Sequence, residues 1–308
     1  MKPQPVFPEM PRHIKLQIID LADPKTKYTL RNCSKALRIL VNDTNVNYHD
    51  VSITLTDEFL KILIEIDERH RVSQEYQNSP APGHKCVDNA VKYLRTIVES
   101  PKVSLKRFAV KFAKQSTPGT EYSQRRERLL EHLNTCLSEL PDQLSVEKFE
   151  MQNPDDENEI LQVLPSLKPG TLRNIVFYFP PGPNRGPHRD VSLNLVAELE
   201  QWKQAKILNA AGCILNIPFA KFANFNNVRT DVQHLSLETV ENLVESFRQN
   251  TSKTNLIFRM TTYADTIPVY LRRFGGQMQC KYIPVPGGFL LIHLLPNSFL
   301  IRRHRNDT

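Results

Sequence analysis

The chain has 308 residues, of which 40% are hydrophobic and 24% charged, and its formal net charge at pH 7 is +7. This length allows one large domain or a small module followed by a bigger domain, with enough apolar residues for a sizeable core. No apolar run approaches the roughly 18 residues that a membrane-spanning helix requires. The sequence therefore predicts a protein without a transmembrane helix.

The positive charge does not by itself indicate a nucleic-acid partner, because phosphate binding requires clustered Lys and Arg side chains. Basic residues alternate with Glu and Asp over most of this chain. The dense basic groups are residues 124–128, which we predict to be a solvated helix face, and residues 302–305, which we predict to be a basic tail. Nucleic acid is therefore not the favoured partner.

Residues 1–9 contain prolines and lack the continuous apolar stretch of a secretory signal, which predicts a disordered lead-in and a protein of the cytosol or nucleus. The cysteines agree with this location, because they are odd in number and form no CxxC pair for zinc or redox chemistry. We expect reduced core or half-buried thiols. The cysteines are Cys33, Cys86, Cys136, Cys213 and Cys280.

Residues 10–41 predict two short helices whose apolar spacing suits a docking surface better than a catalytic pocket. The first helix begins after Pro11. Its residues Ile14, Ile18 and Leu21 stand at i, i+4 and i+7, so they share one face of the helix. This face is the first candidate for a binding surface.

Asp23 and Pro24 are predicted to end the first helix and begin the second. Proline disrupts the preceding helix, whereas Asp23 can cap the next helix with Pro24 at its first position. The second helix is expected to include residues 30–41 without a break. Its apolar stripe would contain Leu30, Cys33, Leu37 and Leu40, with Arg31, Lys35 and Arg38 turned away.

Beyond this helical hairpin the period of the pattern changes to that of strands. Residues 51–55 and 60–66 alternate or are rich in β-branched residues, which predicts a β-hairpin. Residues 78–83 are rich in Pro, Ser and Gly. We place a domain boundary there.

From Cys86 onward, helical and strand patterns alternate. The predicted helices are 87–98, 123–140, 160–167, 195–204, 219–225, 239–249 and 267–274, and the predicted strands are 105–112, 146–151, 172–179, 205–209, 232–237, 255–262, 280–285 and 289–295. Such βα units must stack to bury their apolar faces. The fold class is therefore α/β, with a leucine-rich-repeat-like arc as the first interpretation and a doubly wound open sheet as the alternative.

Several of these segments also carry a resemblance to a known family. The chain resembles the nematode F-box A family, which has an N-terminal F-box and a C-terminal FTH domain. The F-box resemblance rests on Met10, Pro11, Ile14, Ile18, Asp23, Pro24, Leu30, Arg31, Ser34, Lys35, Leu37 and Arg38. The FTH resemblance rests on residues 161–170, 199–206 and 296–299.

The resemblance implies a binding role. It predicts a disordered lead-in at 1–9, an F-box at 10–50, a β-hairpin linker at 51–80 and an FTH domain at 81–308. The F-box would dock onto the adaptor Skp1, and through it a cullin, in a ubiquitin ligase, while the FTH domain would hold an unidentified target protein. The Skp1-contact candidates are Pro11, Ile14, Ile18, Leu21, Pro24 and Leu30.

Three positions depart from the family pattern in the first helix. His13 replaces an acidic residue, Lys15 an apolar residue and Ala22 a leucine. The last of these removes apolar area, and a fully buried leucine contributes on the order of 2 kcal/mol. These departures predict a reduced affinity for Skp1.

No motif in the sequence indicates an enzyme, a metal site or a cofactor. His188, Arg189 and Asp190 spell the tripeptide of a kinase catalytic loop, but they follow the proline-rich residues 180–187 and lack the other kinase motifs, so a solvent loop is favoured. The histidines show no metal-ligand spacing. Trp202 is expected to be a core anchor.

Three functional hypotheses follow from the sequence. The favoured one is a non-enzymatic, substrate-recruiting adaptor of a Skp1–cullin–F-box ubiquitin ligase. The alternative is a protein or RNA-linked interaction scaffold that acts without the ligase. An uncharacterised enzyme is the third hypothesis, and it would require a concave pocket with convergent polar groups.

Overall fold

The computed structural model describes residues 7–77, 85–113, 120–179, 189–233, 235–260, 280–295 and 298–305. The chain divides into two compact units. Unit 1 contains Met1–Phe149 and Gln162–Thr171, and unit 2 contains Glu150–Leu161 and Leu172–Thr308. Both units are mixed α/β structures, as the alternating pattern predicts.

Unit 1 begins with short helices and continues into strands and two longer helices. Its helices are α1 (Arg12–Leu21), α2 (Pro24–Cys33), α3 (Lys35–Asn42), α4 (Lys85–Val98) and α5 (Thr120–Ser138). Its strands are β1 (Val46–Leu55), β2 (Phe59–Glu65), β3 (Arg71–Gln77), β4 (Val103–Phe112) and residues 145–149 of β5 (Ser145–Gln152). Phe7–Glu9 and Leu164–Ser166 form 3-10 helices, the first of them within the predicted disordered lead-in.

The sheet of unit 1 has the strand order β5-β4-β1-β2-β3. The antiparallel pairing of β1 with β2 confirms the predicted hairpin, and β3, which the sequence did not predict, extends it. On its other edge β1 pairs in parallel with β4. The β-hairpin is thus part of the sheet of unit 1, and residues from each of the ranges 10–50, 51–80 and 81–308 contribute to this unit.

Helix α4 illustrates why these residues form a helix on the sheet. Val87, Val91, Leu94 and Val98 repeat at intervals of three and four residues, and all of them are buried. In α5 the predicted solvated face at 124–128 is wrong in part. Arg125 and Arg126 are buried, because Arg125 donates to the carbonyl of Asp57 at 3.2 Å and Arg126 stacks over the ring of Phe112 at 4.1 Å.

Unit 2 consists of shorter helices and a larger number of strands. Its helices are α6 (Glu157–Leu161), α7 (Glu200–Gln204) and α8 (Leu237–Gln249), with 3-10 helices at Val196–Glu198 and Phe219–Phe222. Its strands are β6 (Asn174–Tyr178), β7 (Arg189–Val191), β8 (Ile207–Leu215), β9 (Asn227–Val232), β10 (Asn255–Met260), β11 (Cys280–Val285), β12 (Gly288–Leu295) and β13 (Ser298–Arg305).

The sheet of unit 2 has the order β6-β8-β9-β10-β13-β12-β11, with β7 paired to β8. From β6 to β10 the strands are parallel and follow chain order, which agrees with stacked βα units. From β10 to β11 the pairings are antiparallel. The structure is therefore a mixed sheet with helices, and the leucine-rich-repeat-like arc stays a hypothesis.

Several predicted elements of unit 2 are corrected by the structure. Residues 232–237 are not a strand, because β9 ends at Val232 and Ser236 caps α8 by accepting from the Thr239 amide at 3.1 Å. The predicted helices 160–167 and 195–204 are each broken into a short α-helix and a 3-10 helix, and Pro165 lies within the first of these 3-10 helices. Residues 180–188 and 267–274 lie outside the described residues.

Two segments that the sequence predicts to be irregular belong to strands in the structure. Arg189 and Asp190 belong to β7 and pair with β8, so they are not a solvent loop. The predicted basic tail at 302–305 is part of β13, which pairs on both edges. Backbone pairing thus orders residues that the preceding prolines, at 189–190, and their charge, at 302–305, assigned to solvent.

Trp202 is a core residue, as predicted. Its side chain is fully buried and its indole Nε1 donates to the Lys221 carbonyl at 2.8 Å. The rings of Phe222 and Phe225 contact it at 6.4 Å and 5.1 Å between centroids. Satisfying the indole N–H while burying the ring is what makes a tryptophan stable in a core.

Candidate partner-binding surface

Helix α1 presents apolar side chains to solvent. It begins after Pro11, as predicted, and buries one residue completely, Ile19. On the predicted binding face Ile14 is half-buried, Ile18 is 43% exposed and Leu21 is 89% exposed. Because packing inside the molecule does not account for Ile18 and Leu21, these two residues form an exposed apolar surface, which we call the α1 face.

The turn between α1 and α2 has the predicted capping chemistry. Asp23 accepts from the Thr26 backbone N–H at 3.0 Å and from the Thr26 hydroxyl at 2.6 Å. These hydrogen bonds lower the pKa of the Asp23 carboxyl, because they favour its charged form. Pro24 is the first residue of α2, where its missing N–H costs nothing.

The predicted single helix over 30–41 is wrong, because the chain breaks at Ser34. Ser34 is in an extended conformation and caps α3 by accepting from the Leu37 N–H at 3.2 Å. The hairpin is therefore a set of three helices. Within the predicted stripe, Leu30, Leu37 and Leu40 are half-buried whereas Cys33 is exposed.

Arg31 was expected to face away from the core, and this is the largest correction in the region. It is only 1% exposed, and its guanidinium donates to the Ile97 carbonyl at 2.9 Å and lies 3.6 Å from the Glu99 carboxylate. Both partners lie at the end of α4, where backbone carbonyls lack helical partners and attract a cation. Arg31 therefore fixes α2 to α4.

A tyrosine pair fixes the same two helices at a second point. The hydroxyls of Tyr28 in α2 and Tyr93 in α4 are 2.7 Å apart, and burial raises the pKa of Tyr93. The ring of Tyr48 in β1 meets Tyr28 edge to face at 6.5 Å. Helix α2 thus supplies the anchor, and the α1 face does not take part in these contacts.

The six predicted contact residues differ in position and in exposure. Ile14, Ile18 and Leu21 share one face of α1, and exposed Pro11 stands at its N-cap, whereas Leu30 lies on α2 and is half-buried. The Pro24 side chain is not among those described. Sequence reasoning missed Ile39 of α3, which is 52% exposed. Its exposure could have been predicted from the sequence, because Ile39 lies outside the stripe that contains Leu37 and Leu40.

The departures His13 and Lys15 do not disturb the α1 helix. His13 is exposed, and Lys15 is half-buried with its ammonium group donating to the Pro8 carbonyl at 2.7 Å. Arg12 pairs with Asp43 at the end of α3. These contacts tie the first turn of α1 to its neighbours and leave its last turn, with Ile18 and Leu21, uncovered.

Helix α5 lines a wide polar depression. Its volume is about 530 Å³, and its lining residues are Gln124, Glu127, Arg128, Glu131 and His132. Asp88 of α4 pairs with Arg128 at 3.0 Å and faces His132 at 3.7 Å. The lining offers no serine or cysteine nucleophile, and its charges are those of an ordinary helix–helix ion-pair network.

Two further findings concern metals and membranes. Within the described ranges, no group of at least three His, Cys, Asp or Glu residues is arranged to hold a metal ion. None of the helices in the part of the chain that the structure describes combines the length and the apolar character of a membrane span.

Comparison with known families gives one match. Residues 127–274 match the family model of the FTH domain. This range includes the motifs at 161–170 and 199–206, whereas the motif at 296–299 lies outside it. No curated protein and no solved structure matches the chain. The match supports an FTH-containing protein with a role in protein interaction of the kind associated with F-box proteins.

Proposed function

We propose that this protein is a non-enzymatic, substrate-recruiting adaptor of a Skp1–cullin–F-box ubiquitin ligase. In this function residues 10–50 act as an F-box that binds Skp1, as in the nematode F-box A family, and the FTH region binds the target protein. The observation that carries the proposal is the α1 face. A helix that keeps Ile18 and Leu21 in solvent, while Ile19 anchors it, has the character of an interface centre.

The anchoring of α2 gives a second line of support. Arg31 and Tyr28 fix α2 to α4, and α3 packs against both α2 and α1, so the helix that carries the α1 face stands on a fixed support. A pre-organised surface binds more tightly, because less conformational entropy is lost on association.

The test is co-purification of the full chain with Skp1 by size-exclusion chromatography. We expect the wild-type protein to co-elute with Skp1 and the double variant Ile18→Asp/Leu21→Asp to lose this complex. Placing a carboxylate at a buried aliphatic contact forfeits about 2 kcal/mol per side chain, or roughly 30-fold in affinity, before the cost of burying the charge. Gln17→Asp is the matched control, because Gln17 is an exposed polar residue of the same helix.

Thermal unfolding followed by circular dichroism accompanies this test. The double variant should retain the wild-type melting temperature within a few degrees, because the replaced side chains are exposed in the isolated chain. A double variant that still co-elutes with Skp1, or a wild-type chain that never does, would refute the adaptor function.

An interaction scaffold that acts without the ligase is the second candidate. The position of the family match favours it, because the FTH match begins at residue 127 and does not include the helical hairpin. Affinity capture from cells distinguishes the two functions. An adaptor brings down Skp1 and cullin together with its target, and the double variant keeps only the target, whereas a scaffold captures its partner without Skp1 or cullin in both forms.

A further inference from the structure

The last three strands of unit 2 have one buried and one exposed side. Side chains of successive residues in a strand point to opposite faces of the sheet. On the exposed side, Arg302 of β13 lies beside Asn255 of β10, and Asn255 lies beside Asn227 of β9. We call this side the polar face of the unit 2 sheet. The residues that line the buried side of β11, β12 and β13 are Ile283, Leu290, Ile292, Phe299 and Ile301.

Three ring side chains meet on the polar face, where β11, β12 and β13 pair. Phe289 lies opposite His304, and their rings are stacked with 4.8 Å between centroids and 11° between planes. Tyr282 contacts the Phe289 ring at 5.4 Å between centroids and is 64% exposed. We call these three residues the aromatic patch. Packing within the sheet accounts for the half-buried Phe289 and His304, but it leaves most of the Tyr282 ring open to stacking by another flat group.

The end of the chain also holds most of its net charge. Residues 266–306 contain no Asp or Glu and six basic residues, against a formal net charge of +7 at pH 7 for the whole chain. A stretch without carboxylates is complementary to a polyanion. Because 302–305 belong to β13, part of this charge is held on the sheet and not on a free tail. The basic residues of the stretch are Arg272, Arg273, Lys281, Arg302, Arg303 and Arg305.

Arg302 brings one of these charges next to the aromatic patch. The strand register places Arg302 opposite Leu291, and Leu291 opposite Tyr282, so the three side chains project to the same side. Two strand spacings, or about 10 Å, separate Arg302 from Tyr282. Arg302 is exposed and has no carboxylate partner among the residues that the structure describes, whereas Arg303 points to the buried side and donates to the Phe247 carbonyl.

An exposed ring beside a free guanidinium, on a stretch without carboxylates, selects between classes of ligand. A single-stranded nucleic acid uses both groups, because its bases have flat faces that stack on tyrosine and its phosphates pair with arginine. A duplex keeps its base faces inside its own stack. An acidic peptide can pair with Arg302, but its carboxylate side chains do not stack on Tyr282.

We propose that the aromatic patch and Arg302 bind single-stranded RNA, with one base stacked on Tyr282 and a phosphate of the same strand paired with Arg302. RNA is named because DNA is mostly paired in cells, whereas RNA exposes unpaired bases in loops and at its ends. The aromatic patch lies outside the FTH match, which ends at residue 274. The inference goes beyond the proposed function and does not depend on Skp1.

Fluorescence anisotropy with the full-length chain at low ionic strength tests this proposal. The probe is a fluorescein-labelled RNA decamer of alternating cytidine and adenosine, which cannot pair with itself. The comparison probes are the same decamer without bases, the decamer annealed to its complement, the decamer in DNA form, and a decapeptide of alternating Glu and Ser. We expect the RNA decamer to bind at least about tenfold more tightly than the baseless decamer, the duplex and the peptide.

The ring of Tyr282 is tested by two substitutions and one control. Tyr282→Ala should weaken binding of the RNA decamer about tenfold, because one stacking contact is lost. Tyr282→Phe keeps the ring and should remain within about twofold of wild type. Tyr178→Ala is the matched control, because Tyr178 is also an exposed tyrosine but lies on β6 at the opposite end of the unit 2 sheet.

The charge of Arg302 is tested separately. Arg302→Glu should weaken binding of the RNA decamer at least about tenfold, because it brings a carboxylate next to a phosphate. Arg302→Ala should reduce the slope of log affinity against log salt by about 0.7, the value for one phosphate contact on a single strand. Arg248→Glu changes an exposed arginine of α8 and should remain within about twofold of wild type.

Thermal unfolding followed by circular dichroism shows whether each variant is folded, and Arg302→Glu carries the test if Tyr282→Ala lowers the melting temperature. The proposal is overturned if the wild type binds no RNA, if the baseless decamer or the acidic peptide binds as tightly as the RNA, or if Tyr178→Ala weakens binding as much as Tyr282→Ala. A DNA decamer that binds more than about tenfold more tightly than the RNA would overturn the choice of RNA.

Discussion

The α1 face and the polar face of the unit 2 sheet are built from opposite chemistry. The first is aliphatic, with Ile18 and Leu21 uncovered at the end of a short helix. The second brings Asn227, Asn255 and Arg302 side by side on neighbouring strands. Apolar contact depends on buried area and is not screened by ions, whereas contact between exposed charges is screened.

The two surfaces are also held in place differently. In unit 1, the guanidinium of Arg31 and the hydroxyl of Tyr28 reach from α2 to α4, and α3 connects α2 to α1 by packing against both. In unit 2 the sheet depends on close approach of backbone, because Gly212 of β8 has φ of +84° and lies against the Phe179 carbonyl. The side chains of Arg31 and Tyr28 can shift to keep their hydrogen bonds, whereas the backbone of Phe179 cannot move away from a side chain added at Gly212.

The largest expected effect separates the surfaces by damaging the sheet of unit 2. A Cβ at Gly212 would lie 1.8 Å from the Phe179 carbonyl oxygen. Gly212→Ala should therefore lower the free energy of unfolding by more than about 3 kcal/mol. Chemical denaturation followed by circular dichroism measures this.

Gly287 provides the control for the Gly212 prediction. Its φ is also positive, at +75°, but a Cβ there would meet nothing within 4 Å. Gly287→Ala should cost only the backbone term, about 1–2 kcal/mol. Equal destabilisation by the two alanines would show that the close approach to Phe179 does not matter.

The second prediction weakens the support of the α1 face. Arg31→Ala removes the hydrogen bond to the Ile97 carbonyl and the packing of the arginine stem, and should lower the free energy of unfolding by about 2–3 kcal/mol. Binding to Skp1 should weaken as well, although the α1 face is unchanged in sequence. Lys35→Ala, which changes an exposed residue of α3, is the control. An Arg31→Ala chain with wild-type stability would contradict the anchor role of Arg31.

The smallest effect concerns a buried cation in unit 2 that has a poorer partner than Arg31. Lys253 is 3% exposed, and its Nζ donates to the Ser246 hydroxyl at 2.5 Å. Desolvation lowers the pKa of Lys253 from 10.5. The charged form therefore destabilises the folded state, and Lys253→Met should raise the free energy of unfolding by about 1 kcal/mol at pH 7.

The pH dependence gives this prediction its sign. Between the lowered folded pKa of Lys253 and 10.5, the unfolded chain binds more protons, so the stability contribution of this residue rises with pH. The advantage of Lys253→Met should be largest below the folded pKa and shrink towards pH 10.5. Denaturation curves across this range measure it, and a constant difference between variant and wild type would argue against titration of Lys253.

Local chemistry allowed several parts of this structure to be predicted. Pro11 and the Asp23–Pro24 pair fix both ends of α1 and the start of α2, because capping and the missing proline N–H act within a few residues. The β1–β2 hairpin and the amphipathic α4 follow from periodicity in the same way. The exposure of Ile18 and Leu21 is consistent with the predicted surface, and binding to Skp1 stays a prediction.

Other features depend on partners that are distant in sequence. Ser34 was hidden as a helix end because the apolar stripe continues across it, and β3 shows no apolar alternation because its residues are mostly exposed. The burial of Arg31 is decided by the carbonyl of Ile97, 66 residues away. The ordering of 302–305 is decided by pairing with β10 and β12.

The sequence by itself determined the α/β class, the bounds of α1, the start of α2, and an aliphatic face on α1, because each of these follows from neighbours within a turn or a strand. The tertiary structure decided which charged residues are buried and which asparagines share a face. Strand order and register bring these residues together, and neither is encoded in any short stretch of the chain.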